Sequence, residues 1–176
     1  IVMFAVAAPK VFSNWETISF SDARPKPIVT HEYRTERAEY ATVTLPDSSM
    51  VRLASDTRVR YAQLSNGELK IDLEGQAYFS VTNATRRAFS VTTGDVVTRV
   101  LGTQFEVRRY EPDSATRVVV QSGKVAVQGS RSHSATLHAG QLAEITAAHA
   151  QVSTIRDSSA VLGWIEGRLM FTNAPV

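Results

Sequence analysis

From Glu39 onward, apolar and polar residues alternate in short runs. Ala41, Val43 and Leu45 share one side with Thr42 and Thr44 opposite; Val51 and Leu53 flank Arg52; Val59 and Tyr61 flank Arg60. Further along, Phe105 and Val107 point one way and Gln104, Glu106 and Arg108 the other. A period of two is the signature of a strand with one buried face, and runs of about five residues are a usual strand length. The segments between them carry turn chemistry: Pro46-Asp47-Ser48-Ser49, Ser65-Asn66-Gly67, Thr93-Gly94-Asp95, Pro112-Asp113-Ser114 and Gly129-Ser130. Many short strands with such punctuation predict an all-β fold. Only Asp157 to Trp164 reads as helical, with Asp157 or Ser158 as N-cap, giving one short helical turn or two near the C-terminus.

A second pattern lies over the first. Leu73-Glu74-Gly75-Gln76-Ala77-Tyr78-Phe79, Val100-Leu101-Gly102-Thr103-Gln104-Phe105-Glu106-Val107, Val120-Gln121-Ser122-Gly123-Lys124-Val125 and Leu137-His138-Ala139-Gly140-Gln141-Leu142 each read apolar, glycine, then a new alternating run. Gly102 marks a bend or a close backbone approach. The glycines at 75, 102, 123, 140 and 167 are unevenly spaced, which excludes a strict repeat. Stacked short strands remain in two forms, an irregular β-solenoid-like stack or a sandwich whose hairpins share glycine turns. Spacing alone favours neither.

The N-terminal end follows different rules. Ile1 to Ala8 is an uncharged apolar run without a basic leader, and it is shorter than the about 20 residues that span a bilayer. It reads as the exit end of a longer transmembrane helix cut by the chain boundary, residues 1–12, with Lys10 and Trp15 suited to the interface; a buried N-terminal strand is the alternative. Residues 13–32 read as a linker, because Pro25-Lys26-Pro27 opposes regular structure. Residues 33–176 then form one domain, expected to be cut at its C-terminus, where Leu169-Met170-Phe171 reads as a strand and Pro175 as the lead-in to a further element.

Composition narrows the function. With 176 residues, 43% hydrophobic and 20% charged, the chain can bury one good core. Its net charge is +2 and its pI about 9.1, but the arginines at 52, 58, 60, 99, 108 and 117 fall on different strands, so no basic face for nucleic acid forms. The absence of cysteine removes disulfides, thiolate metal sites and cysteine nucleophiles, and is compatible with either side of a bacterial inner membrane. His31, His133, His138 and His149 include no i, i+2 pair of the kind a β-strand metal site uses. Asp72 and Glu74 share a strand face and could mimic a glycosidase pair; Leu69, Ile71 and Leu73 on the other face make a solvated surface, with Lys70 among the carboxylates, the simpler account. There is no Gly-x-Ser-x-Gly elbow, phosphate loop or dinucleotide fingerprint. No residue is assigned a catalytic, cofactor-binding or metal role. Tyr33, Tyr40, Tyr61, Tyr78 and Tyr110 leave one alternative open, a carbohydrate- or surface-binding all-β module.

Several segments taken in order resemble a known family. They are Val43-Thr44-Leu45-Pro46-Asp47-Ser48-Ser49-Met50-Val51-Arg52-Leu53, Gly75-Gln76-Ala77-Tyr78-Phe79-Ser80-Val81, Phe89-Ser90-Val91, Val100 to Val107, Val125-Ala126-Val127 and Trp164-Ile165-Glu166-Gly167-Arg168-Leu169-Met170-Phe171. The ordered set resembles the FecR-type regulators of extracytoplasmic-function sigma factors. Its structural signature here is Leu45, Asp47, Gly75, Phe79, Leu101, Gly102, Thr103, Phe105, Val107, Gly123, Gly140, Trp164, Gly167 and Phe171. Ser48 stands where the family usually has glycine, and Gln76 where it often has glutamate. A left-handed backbone at Ser48 would cost about 1 to 2 kcal/mol. The resemblance implies a non-catalytic inner-membrane signalling regulator without cofactor, this domain in the periplasm. Its partners would be an extracytoplasmic-function sigma factor, met through a cytoplasmic segment not present here, and the signalling domain of an outer-membrane TonB-dependent transducer, commonly a ferric-siderophore receptor. Residues that contact those partners are not assigned.

Overall fold

The computed structural model describes residues 27–82, 89–111, 113–130, 134–155 and 162–166. The alternating runs become thirteen strands: β1 (Pro27–Thr35), β2 (Ala41–Thr44), β3 (Met50–Leu53), β4 (Thr57–Leu64), β5 (Leu69–Ser80), β6 (Phe89–Thr93), β7 (Val96–Val100), β8 (Gln104–Arg109), β9 (Thr116–Ser122), β10 (Lys124–Gln128), β11 (Ser134–His138), β12 (Gln141–Ile145) and β13 (Ala150–Thr154). A 3-10 turn, Gly163–Glu166, follows.

Hydrogen bonding arranges the strands in two sheets. Sheet A runs β1-β4-β5-β6-β7-β10-β11. Sheet B runs β2-β3-β5-β8-β9-β12-β13. Strand β5 belongs to both, so the two form one continuous barrel-like sheet. Its first half, Leu69 to Glu74, pairs with β4, and its second half, Gly75 to Ser80, pairs with β8. The β5–β6 pair is parallel; the other described pairs are antiparallel.

The pivot is Gly75. Its φ is +105°, and a Cβ there would lie 2.6 Å from Thr57 Oγ1 and 2.9 Å from Asp56 O, so only glycine lets β5 turn from one sheet into the other. Thr57 Oγ1 secures the bend by accepting from Gln76 N at 3.1 Å. The other recurrent glycines occupy equivalent places. Gly102 lies between β7 of sheet A and β8 of sheet B, Gly123 between β9 and β10, and Gly140 between β11 and β12. From β6 on, the chain therefore lays hairpins alternately on sheets A, B, A and B. The expected all-β architecture is present, and its two forms merge: a sandwich by layers, a solenoid-like advance by chain path.

Between the sheets, Phe79 stacks on Phe105 at 5.0 Å and meets Phe89 edge-on at 5.9 Å. Leu45, Val51, Leu53, Ile71, Val107, Val125, Leu137 and Ile145 extend this core. Each such side chain withdrawn from water contributes about 1.5 to 3 kcal/mol.

Two boundaries differ from expectation. Strand β1 starts at Pro27, inside the stretch read as a linker to residue 32. Proline is tolerated at the first position of an edge strand, where its missing N–H breaks no ladder, and His31 and Tyr33 gain ring contacts on Tyr61 at 5.0 and 6.1 Å. The helical stretch expected at Asp157–Trp164 is found as the later turn Gly163–Glu166, with Asp157 to Val161 outside the described residues. The apolar run 1–8 also lies outside them. Among the described residues no helix is long and apolar enough to cross a membrane.

Candidate functional site

On β8 the alternation sends Phe105 and Val107 into the core and Glu106 to the outer face of sheet B, where a carboxylate is normally hydrated. Glu106 is only 1% exposed. Its cover is the 3-10 turn: the indole Nε1 of Trp164 donates to Glu106 Oε2 at 2.6 Å, and the same ring stacks on Tyr40 at 6.3 Å. Leu162, just before the turn, is buried. Beside Glu106 in register are Tyr78 of β5 and Val119 of β9. Val118 and Val120 belong to the core between the sheets, whereas Val119 alternates outward and is nevertheless fully buried.

The electrostatics of this seat are unusual for a strand surface. Burial pushes the Glu106 carboxyl up from its ordinary value, opposed by hydrogen bonds from Trp164 and Gln76 and by the charges of Arg117 and Arg108. An ion withdrawn from water needs such partners. Tyr78, whose hydroxyl burial also pushes up, donates to Gln121 Oε1 at 2.5 Å. The outer face of sheet B thus holds a covered carboxylate between aromatic and guanidinium groups.

A concavity of about 670 Å³ opens beside the Gly75 pivot, away from Glu106, and is lined by Arg58, Glu74, Thr93, Arg109 and Tyr110 among others. Two of its guanidinium groups are paired within the protein. Arg58 Nη1 lies 3.0 Å from Glu74 Oε2, and Arg109 Nη1 lies 2.6 Å from Asp95 Oδ1. Hydrogen bonds from Arg109 and Ser130 hold the Asp95 carboxyl below the usual carboxylate range. Tyr110 donates to Ser55 O at 2.8 Å under the Arg108 guanidinium. Asp72 and Glu74 lie on the outer face of sheet A, opposite Arg60 and Arg58 in register. Among the described residues no group of three histidine, aspartate or glutamate side chains gathers as a metal site would.

The signature residues fall into three places. Leu45, Phe79, Phe105 and Val107 are in the core, with Leu101 half-buried at its margin. Asp47 shapes the first hairpin, accepting from Ser49 N at 3.0 Å and from Ser49 Oγ at 2.8 Å. Gly75, Gly102, Gly123 and Gly140 stand at passages between sheets. Gly102, Thr103 and Gly123 meet there: Thr103 Oγ1 donates to Lys124 O at 3.0 Å, and a Cβ on Gly123 would lie 2.9 Å from that hydroxyl. Trp164 is the seat of the turn on sheet B, while Gly167 and Phe171 lie outside the described residues. Glu106 is the residue that the sequence pattern misplaces, as one more polar position on a half-buried strand. The available signal was Trp164 itself, since an indole N–H drawn out of water takes an acceptor.

Fold and surface together define a two-sheet β scaffold with a covered carboxylate on one outer face. The chain belongs to the FecR protein family, whose profile matches residues 31–126. Two crystal structures from Parabacteroides distasonis ATCC 8503, each provisionally described as an anti-sigma factor, are similar to it. They superpose with TM-scores of 0.74 and 0.73, both at 28% identity. The similarity covers 84% and 82% of this chain and 70% and 69% of theirs. No curated protein matches the chain.

Proposed function

We propose that this chain is the periplasmic part of a single-pass inner-membrane regulator of an extracytoplasmic-function sigma factor. It relays occupancy of an outer-membrane TonB-dependent transducer, commonly a ferric-siderophore receptor. The observation that carries the proposal is the family match over residues 31–126, from the middle of β1 to the middle of β10; the likeness to proteins described as anti-sigma factors supports it. On this reading residues 1–12 end the membrane helix, residues 13–26 tether the domain, and the domain proper starts with β1. The protein acts without catalysis or cofactor: its paired charges and buried aromatic seat suit contact and relay. The carbohydrate-binding alternative has less support, because Tyr61 is 5% exposed and the hydroxyls of Tyr78 and Tyr110 are bonded within the protein.

The test uses the full-length gene. Alkaline phosphatase fused after Lys26 is expected to be active, and deleting the gene is expected to change transcription from promoters of the cognate sigma factor. An inactive fusion that a cytoplasmic reporter at the same site replaces with activity would overturn the topology. Sigma-dependent transcription indifferent to the deletion would overturn the role.

A further inference from the structure

We propose that residues 162–166 form a strap on the outer face of sheet B, tightened when Glu106 gains a proton and loosened when it loses one. This goes beyond sigma-factor control and does not rest on it.

The geometry comes first. The strap is held by a directional bond, Trp164 Nε1 to Glu106 Oε2 at 2.6 Å, and by the Tyr40 stack. It lies over a carboxylate that the strand alternation turns to the outer face of sheet B. The indole N–H and the Gln76 amide replace only part of the water that an ionised carboxylate loses. Across the same face, Arg108 on β8 and Arg117 on β9 supply opposite charge. Glu144 on β12 stands opposite Arg117 in register. Tyr78 on β5, its hydroxyl pushed up by burial, stands beside Glu106 in register, and Tyr40 meets the strap through its ring. With the strap in place, burial outweighs the opposing attractions and raises the carboxyl above its ordinary value; the strap supplies the outward side of that cover.

The direction follows by linkage. Docking raises the affinity of Glu106 for a proton, so the strap is firmest below the undocked titration midpoint and weakens as pH rises to the docked midpoint. A neutral carboxyl still accepts the indole N–H through its carbonyl oxygen, and it sheds the cost of a covered ion. Release uncovers Glu106, beside Val119 in register, and frees the Tyr40 ring, which makes a charged centre next to apolar groups.

The chain contains two tryptophans, so the experiment uses the whole chain carrying Trp15→Phe, leaving Trp164 as the reporter. Emission and acrylamide quenching are followed from about pH 4 to about pH 8, with far-UV circular dichroism confirming an intact sheet. Emission is expected to shift to longer wavelength and quenching to rise with pH, the docking equilibrium falling by about tenfold per pH unit between the two midpoints. Glu106→Gln keeps an acceptor and removes the titration, and is expected to stay blue-shifted and poorly quenched throughout. Emission that ignores pH in the parent, or a titration that survives Glu106→Gln, overturns the proposal. The Trp164 indole N–H resonance reads the same equilibrium without altering Glu106, and a resonance unmoved by pH also overturns it.

Discussion

Ser48 occupies a left-handed conformation, φ +66°, at the tip of the β2–β3 hairpin. Ser48 N donates to Leu45 O at 2.9 Å and Leu45 N to Ser49 O at 2.8 Å, the pattern of a tight turn closed by one left-handed residue. Glycine is favoured there. The serine is retained because the loop is held from both sides: Asp47 grips Ser49, and Ser49 Oγ accepts from Thr82 N at 3.1 Å. Ser48→Gly is therefore expected to stabilise the domain by about 1 kcal/mol, the relief of the left-handed penalty less the entropy cost of glycine, read as a higher urea midpoint at unchanged slope. This turn was legible in the sequence because its determinants are local. Glu106 was not: its cover comes from Trp164, 58 positions away, and alternation reports which face a residue takes, never what lies on that face.

At the scale of elements, the glycines were visible and their task was not. A glycine after an apolar run looks the same whether it closes a hairpin or carries the chain from one sheet to the other. The partner strand decides, and pairing is non-local. The passages also differ in tightness. Gly75→Ala combines a positive φ with backbone contact at 2.9 Å and is expected to cost about 2 to 4 kcal/mol. Gly140→Ala, with nothing within 4 Å of the added carbon, should cost only the conformational about 1 to 2 kcal/mol. Thermal denaturation of the two variants separates these cases, and equal losses would show that contact at the Gly75 pivot is immaterial. Strand β1 was obscured for a related reason: two nearby prolines suggest a linker, and the freedom of an edge position to begin with one is not written locally.

For the whole molecule, the all-β class was readable from period-two alternation, while sandwich and solenoid require the same local pattern, and only the strand order shows how the two combine. The phenylalanines hold the two layers together, Phe79 and Phe105 from sheet B and Phe89 from sheet A. Phe105→Ala is expected to destabilise by about 3 to 5 kcal/mol, with far-UV and near-UV circular dichroism losing signal together in urea because β5 ties both sheets. An unchanged midpoint would place Phe105 outside the stabilising core.

The alternation of hairpins also sets an order of assembly. Strands β6 and β8 pair with β5, β10 pairs with β7, and β12 pairs with β9. Every late hairpin docks on a strand synthesised before it, and none in this series needs a partner still to come. A chain emerging N-terminus first can thus build outward from β5, each arriving hairpin covering the edge left by its predecessor and limiting how long that edge stands open to another chain.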